Sequence, residues 1–387
     1  MSKVDINEAF THKFCINLDR RPERWEQMRA KFASSGIVGV RRFAAIDGRQ
    51  ISVPENWSDS PGAYGCLRSH LEIIEEARGI GAPSVLIFED DAALDPRIQQ
   101  KFKTYFQQVP ADWHMLHFGA NHMAAPLPVA ENVVRITSAN STFAYALNHT
   151  VFDSFIELNR KALTAVDLNN RTLQTDHACY CFTPHIAWVE DVSSDVQVRQ
   201  KYHWYLKESL VLHGDGMDEI LNQTAVIIVP QNHSQTENYL GNLQFLISFY
   251  KKHLPGVTVV IAEPDGPFNR DKCLSAAINQ TDASFIILSD SNIFVEEWDI
   301  RGNLRMCQQY DCATGFSRLV ELTERATQTL RTSKPMLLTP WFDANDYSQS
   351  AKQDKFERFS VFTRAALEKP LDELRVFVSP NDALRMS

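Results

Sequence analysis

Ser84-Val85-Leu86-Ile87-Phe88-Glu89-Asp90-Asp91 sets a nearly all-apolar run directly against three acids. A strand that is apolar on both faces belongs at the centre of a sheet covered by helices on both sides, as parallel sheets are. Here the charge arrives where that strand leaves the sheet. In open α/β sheets ligands gather at the carboxyl edge, so carboxylates there hold a cation without entering the core. Alternation puts Glu89 and Asp91 on one side and turns Asp90 elsewhere. Oxygen donors of this kind suit magnesium or manganese, which keep positions open for water and phosphates. The plainer alternative is that three acids open a solvated loop or cap the next helix.

Outward from this stretch the chain alternates. Strand-like runs bounded by polar turns lie at Phe14 to Leu18, Arg42 to Ile46, Trp113 to Phe118 and Phe143 to Leu147. Between them, Gly65 to Arg78 carries Leu67, Leu71 and Ile74 on one helical face, and Pro22-Glu23 suits the first turn of a helix through Ser34. The polar stretch from His213 to Asp218 reads as a linker. The rhythm then restarts with strands at Ala225 to Val229, Thr258 to Ala262 and Ser284 to Leu288, and helices at Thr236 to His253 and Asp271 to Asn279. From Lys334 onward the pattern is weak. A chain of 387 residues exceeds one ordinary core. The predicted architecture is therefore α/β in two domains, residues 1–212 and 223–387 joined by a linker at 213–222, each a mainly parallel sheet flanked by helices.

Hydrophobic residues at 44% and charged residues at 22% exclude a disordered or fibrous class. The net charge of −9 disfavours nonspecific attraction to nucleic acid or anionic lipid. Against that balance, Arg20, Arg21, Arg24, Arg29, Lys31, Arg41 and Arg42 concentrate positive charge near the start, facing either phosphates or solvent. Seven cysteines without a metal-type CxxC pair read as reduced core thiols, with Cys179 and Cys181 on one face of a strand. Met1 to His12 has no apolar leader segment and no run of 18 apolar residues occurs, so a cytoplasmic protein without a transmembrane segment is expected.

Several segments carry more than periodicity. In order they are Cys15-Ile16-Asn17-Leu18-Asp19-Arg20-Arg21-Pro22-Glu23-Arg24, Phe43-Ala44-Ala45-Ile46-Asp47-Gly48, Gly65-Cys66-Leu67-Arg68-Ser69-His70, Leu86 to Asp91, and Trp113-His114-Met115-Leu116-His117-Phe118-Gly119, with a tail at Ser194-Asp195-Val196. Together they resemble glycosyltransferase family 25, the lipooligosaccharide and collagen galactosyltransferases, over Lys13 to Val196. The resemblance implies a Rossmann-like type-A glycosyltransferase domain that takes a nucleotide-sugar. It implies Glu89 and Asp91 as ligands of Mn2+ or Mg2+, and Asn17, Arg20, Arg24, Asp47, Gly48, Ser69 and Asp90 around a UDP-sugar donor. Gly62-Ala63-Tyr64, where the family commonly carries an acid, and Arg68, where it has a smaller residue, depart from the pattern on the acceptor side. His70 lies in the amphipathic helix, where a core hydrogen bond is the simpler reading. Family members invert the anomeric centre, which calls for a carboxylate base. The candidates are Asp167, Asp176 and Asp195, with Asp176 and Asp195 favoured because both stand beside predicted strands, and either is alternatively a structural cap.

Further on, Phe268 to Ile278 and Phe285-Ile286-Ile287-Leu288-Ser289-Asp290-Ser291-Asn292 resemble the core of family 2 glycosyltransferases, with Glu263 and Asp265 after the preceding strand. The usual Asp-x-Asp reads Asp290-Ser291-Asn292, so an amide replaces a carboxylate and the domain reads as degenerate or auxiliary, with self-association among its possible jobs. The expected function is metal-dependent inverting transfer of galactose or glucose from a UDP-sugar to a glycan acceptor such as lipooligosaccharide. The alternatives are a non-catalytic nucleotide-sugar or glycan binding module, and a transferase acting on hydroxymethylated DNA bases.

Overall fold

The computed structural model describes residues 4–161, 164–190, 203–230, 237–263, 269–314, 318–322, 327, 347–352, 359–369, 373–378 and 382–385. The chain divides into two compact units, Met1–Val211 and Leu212–Ser387.

The first unit runs α1 (Ile6–Ala9), β1 (Lys13–Asn17), α2 (Pro22–Ser35), β2 (Val40–Ala44), α3 (Pro61–Gly79), β3 (Ser84–Glu89), β4 (Ala92–Leu94), α4 (Ile98–Tyr105), β5 (Met115–His117), β6 (Asn121–His122), β7 (Leu127–Ala130), β8 (Val133–Arg135), β9 (Ala139–Asn140), β10 (Ala144–Asn148), α5 (Phe152–Lys161), α6 (Val166–Asp176), β11 (Cys179–Phe182), β12 (Ala187–Val189) and α7 (Trp204–Lys207). Eight strands form one sheet in the order β2-β1-β3-β10-β5-β11-β8-β7. β1 pairs in parallel with β2 and β3, and β5 with β11, while the other four neighbours are antiparallel. The sheet is thus mixed, where a mainly parallel one was predicted. Parallel pairing needs a crossover of a dozen or more residues, usually through a helix. Between β5 and β10 the chain makes only short strands, so β10 enters beside β3 reversed.

Local sequence explains the helices that frame the site. α3 starts because Ser60 caps it, its Oγ accepting from the Ala63 backbone N–H at 3.0 Å, with Pro61 in the first turn. α2 starts at Pro22 and stops at Gly36, whose φ of +66° suits a residue without Cβ. Alternation along β3 serves two layers. Val85 and Ile87 join Leu67, Ile74, Phe155 and Leu173 in the core under α3, α5 and α6. Phe88 meets Phe32 of α2 at 5.1 Å between ring centroids on the other face, beside Phe118 and Phe102. Each fully buried side chain of this kind contributes about 1.5–3 kcal/mol, so the apolar run of β3 anchors both layers.

The second unit opens with α8 (Asp215–Asn222), followed by β13 (Thr224–Val229), α9 (Glu237–His253), β14 (Thr258–Ile261), α10 (Arg270–Ile278), β15 (Phe285–Asp290), β16 (Ile293–Phe294), α11 (Glu297–Met306), β17 (Cys312–Thr314), β18 (Arg318–Leu322), β19 (Tyr347–Lys352), β20 (Phe359–Thr363), β21 (Val376–Val378) and β22 (Asp382–Arg385). Its main sheet has the order β14-β13-β15-β20-β17-β21, with a second sheet β16-β22-β18-β19. This sheet is mixed as well, since β20 is antiparallel to both β15 and β17. The stretch 213–222 predicted as a linker is mostly helix. Met217, Ile220 and Leu221 are buried at helical spacing, and the turn-like look comes from Gly214, at φ +92°, and Gly216. All seven thiols are unpaired and six are buried. Among the described residues no helix is long and apolar enough to cross a membrane.

Candidate functional site

Because β1, β2 and β3 are mutually parallel, their carboxyl ends share one edge of the sheet. The antiparallel β10, in register Ala144 to Phe88, brings residues 141–143 to that same edge, where Glu89 N–H donates to Phe143 O at 2.9 Å. A cavity of about 240 Å3 opens there. Asn17, Arg20, Arg24, Asp47, Gly48, Ser69, Glu89, Asp90, Asp91 and Asp167 all line it, joined by Cys66, Ser141, Thr142 and His203. Five carboxylates thus face two guanidiniums around one small space.

The three acids after β3 are held differently. Asp90, also on the cavity wall, accepts from Asn17 Nδ2 at 2.7 Å and from Arg24 Nη1 at 3.1 Å. Burial nonetheless raises its carboxyl above the ordinary range against those two donors. Glu89 Oε1 accepts from Thr142 Oγ1 at 2.5 Å and lies 3.4 Å from His70 Nε2. Burial works against its charge, but His70 and Thr142 hold it below the usual range. Asp91 gets less help, from the charge of Arg24 and from its own backbone N–H. Its Oδ1 is buried without a hydrogen-bond partner, and burial, Glu89 and Asp90 together push the carboxyl up to about 7. A divalent cation is the natural remedy for an orphaned carboxylate oxygen between two like charges, and oxygen-only donors fit a hard ion. Glu89 and Asp91 are residues that could hold such an ion.

The loop after β2 reaches the cavity only because two glycines let it approach α3. A Cβ on Gly48 would strike the Pro61 carbonyl, and one on Gly65 would strike Ile46 O and sit 2.5 Å from Gly48 N. Asp47 is fixed there by Arg20 Nε at 2.9 Å and by the Arg49 backbone N–H at 3.1 Å. Burial opposes its ionisation, yet those two donors keep its carboxyl below the ordinary range. Ser69, predicted as a donor contact, lines the cavity and also has a structural task. Its hydroxyl donates to Gly65 O at 2.7 Å and accepts from Ile46 N–H at 2.9 Å, so it fastens the loop to the helix.

Of the two base candidates among the described residues, Asp167 lines the cavity and Asp176 does not. It occupies the first turn of α6, accepting from Leu168 N–H at 2.9 Å and facing Ser141 N–H at 3.5 Å, and burial raises its carboxyl. Ser141 itself is held at φ +89°, a strained conformation for a residue with a Cβ. Asp176, predicted from its nearness to a strand, is exposed at the opposite end of α6. Nine residues of helix carry it about 13 Å along the axis and half a turn around from Asp167. Asp195, with the tail Ser194-Asp195-Val196, lies outside the described residues.

The remaining basic residues mostly serve the surface. Arg29 pairs with Glu26 at 3.0 Å, Lys31 with Glu190 at 2.8 Å, Arg42 with Asp19 at 2.7 Å, and Arg41 with Glu76. Sequence reading did not select Thr142, Ser141 or Cys66, and took His70 for a core residue. His70 does bond within the core, its Nδ1 3.0 Å from Tyr145 Oη, while its other nitrogen faces Glu89. Only pairing across the sheet, invisible in one sequence, puts β10 residues beside β3. In the second unit, Asp290 is buried against Arg270 at 2.7 Å, Glu263 is exposed, and Asp265 lies outside the described residues.

Residues 10–169 match the family model described as glycosyltransferase family 25 (LPS biosynthesis protein), the family that the motifs resemble. The chain is 31% identical over 136 residues to a "Glycosyltransferase 25 family member" of Aedes aegypti, covering 29% of this chain and 22% of that protein. It is 27% identical over 158 residues to "Procollagen galactosyltransferase 1" of Danio rerio, covering 36% and 26%. It is 30% identical over 138 residues to "Inactive glycosyltransferase 25 family member 3" of Homo sapiens, covering 30% and 22%. The chain thus spans about a quarter of the length of these relatives. The family match ends inside the first unit, and the likeness of the second unit to family 2 rests on its motifs alone.

Proposed function

We propose that the first unit is a glycosyltransferase that moves a hexose, galactose or glucose, from a UDP-sugar to an acceptor hydroxyl, with a glycan such as lipooligosaccharide as the acceptor class. The observation that carries this reading is Asp91, a half-buried carboxylate with one buried, unpartnered oxygen at the carboxyl end of the central strand, inside a cavity built from the segments that resemble the family's motifs. A diphosphate cannot enter a space walled by five carboxylates unless positive charge comes with it. Arg20 and Arg24 supply part of that charge. Mn2+ or Mg2+ held by Glu89 and Asp91 would supply the rest, offsetting the charge that develops on the departing diphosphate. Asn17 and Arg24 orient Asp90, and Asp47 and Gly48 form the wall against the nucleotide. As the acceptor oxygen bonds to the anomeric carbon and the bond to the diphosphate breaks, Asp167 takes the hydroxyl proton. Burial raises its affinity for the proton, the direction that favours a carboxylate as general base.

The test is UDP release from UDP-galactose and UDP-glucose by the purified chain with manganese, beside calorimetry with UDP. Turnover that disappears in Asp91→Asn, and in Asp167→Asn with UDP binding retained, is the expected result. Neither hydrolysis nor UDP binding with manganese present would end the assignment. UDP binding without hydrolysis of either donor would favour the non-catalytic reading, which the name of the human relative brings into view.

A further inference from the structure

Away from the cavity, the first unit buries a second set of metal-ligating side chains. His122 on β6, Cys181 on β11 and His185 in the connection to β12 have their ligand atoms within 4.8 Å of one another. Their exposures are 3%, 0% and 4%, and none of the three lines the acidic cavity. Two segments distant in sequence, one carrying His122 and the other Cys181 and His185, therefore converge on one buried point.

We propose that His122, Cys181 and His185 bind one zinc ion. Buried polar groups are ordinarily hydrogen-bonded, yet His122 Nδ1 has no hydrogen-bond partner. His185 is already arranged as a ligand. Its Nδ1 lies 2.8 Å from Leu206 O, so that nitrogen carries the proton and Nε2 keeps its lone pair, the outer-shell bond that metal-binding histidines usually make. The loop carrying His185 is pressed against the end of β5, where a Cβ on Gly119 would stand 3.1 Å from His185 Cβ. Burial lowers His122 to about 3 and His185 to about 4, so both rings are neutral at pH 7 and need lose no proton. The Cys181 thiol, now 3.3 Å from Phe182 O, would form a zinc–sulfur bond and release its proton to solvent. One sulfur and two imidazoles, with no carboxylate, select zinc over the magnesium or manganese that suits Glu89 and Asp91. His117, the cross-strand partner of Cys181, is buried beside the set with its own Nδ1 unpartnered.

The experiment uses the full chain, stripped with a chelator and titrated with Zn2+, then with Co2+ as a spectroscopic probe. One zinc per chain should survive gel filtration, and the cobalt form should show tetrahedral d–d bands with a thiolate-to-cobalt charge-transfer band. Cys181→Ser should remove that band, and His122→Gln should cut retained zinc at least tenfold, both with wild-type circular dichroism in chelator. Because Cys66, His70 and Glu89 offer another thiolate set, Cys66→Ser is read alongside and should retain the band. Asp91→Asn should retain the zinc. The proposal is overturned if the wild type keeps no zinc, if its cobalt form lacks the thiolate band, or if the band follows Cys66 instead of Cys181. Should Cys181→Ser fail to fold, retention of zinc by His122→Gln would be enough to overturn it.

Discussion

The raised carboxyl of Asp91 should make the manganese binding proposed for the acidic cluster depend steeply on pH. Held at about 7 by burial, Glu89 and Asp90, Asp91 is about 3% ionised at pH 5.5 and about 90% at pH 8. A hard cation binds the carboxylate and displaces the proton. Affinity should therefore rise about 30-fold between those pH values and flatten above 7. Glu89 adds little slope there, since His70 and Thr142 hold it below its usual range despite burial. Titration of metal-free protein with Mn2+ by calorimetry at pH 5.5, 6.5, 7.5 and 8 measures the slope. Asp91→Asn should lower affinity at pH 8 to near the wild-type value at pH 5.5 and remove most of the pH dependence. An affinity constant within about threefold across the range, or a slope that survives in Asp91→Asn, would refute the argument that burial and like charge keep this group protonated.

Three further outcomes follow from the same geometry. A carboxyl raised from 3.8 to about 7 favours the fold fully below 3.8 and loses that contribution as pH climbs through 7, so the metal-free protein should be less stable at pH 8 than at pH 5. The ceiling is about 4 kcal/mol and water in the open cavity roughly halves it, so Asp91→Asn in chelator should gain about 2 kcal/mol at pH 8 and less at pH 5, read by urea denaturation. Gly48→Ala and Gly65→Ala force a Cβ into fixed backbone, so each should cost about 3 kcal/mol of thermal stability and abolish UDP binding. For the base, Asp167→Asn should lower donor turnover by about a hundredfold or more, whereas the exposed Asp176→Asn should leave it within about twofold of wild type.

The elements most legible in the sequence are those whose burial pattern is local. β3 reads correctly because it is apolar throughout and α3 because Leu67, Leu71 and Ile74 repeat on one face. The acids at the end of β3 and the loop ending in Asp47-Gly48 meet because parallel strands share a carboxyl edge, which the alternation of strand and helix implies. Illegible were relations across the sheet. Nothing local says that β10 runs antiparallel to β3, so Thr142, which bonds Glu89, has no sequence signal. The structural task of Ser69, two bonds to the backbones of Ile46 and Gly65, was equally hidden, because one partner lies in a different loop. Asp176 misled because adjacency to a strand says nothing about which end of the preceding helix faces the ligand.

The two units share a plan, an apolar strand ending in an acid, and differ in how that acid is neutralised. After β3, three carboxylates compete for a few donors. Asn17 and Arg24 satisfy Asp90, Thr142 and His70 face Glu89, and Asp91 is left with a buried oxygen that nothing bonds. After β15 the amide of Asn292 stands where a second acid would be, and Asp290, buried to 6% exposure, has the Arg270 guanidinium at 2.7 Å. A cation arriving at Asp290 would have to displace a charge already in place, and breaking a buried pair costs about 3–5 kcal/mol. A cation arriving at Asp91 displaces only a proton that burial put there. The same strand-end position is therefore electrostatically unfinished in the first unit and finished in the second, which is why the proposed function places its cation and diphosphate at the Glu89 and Asp91 edge and not at Asp290.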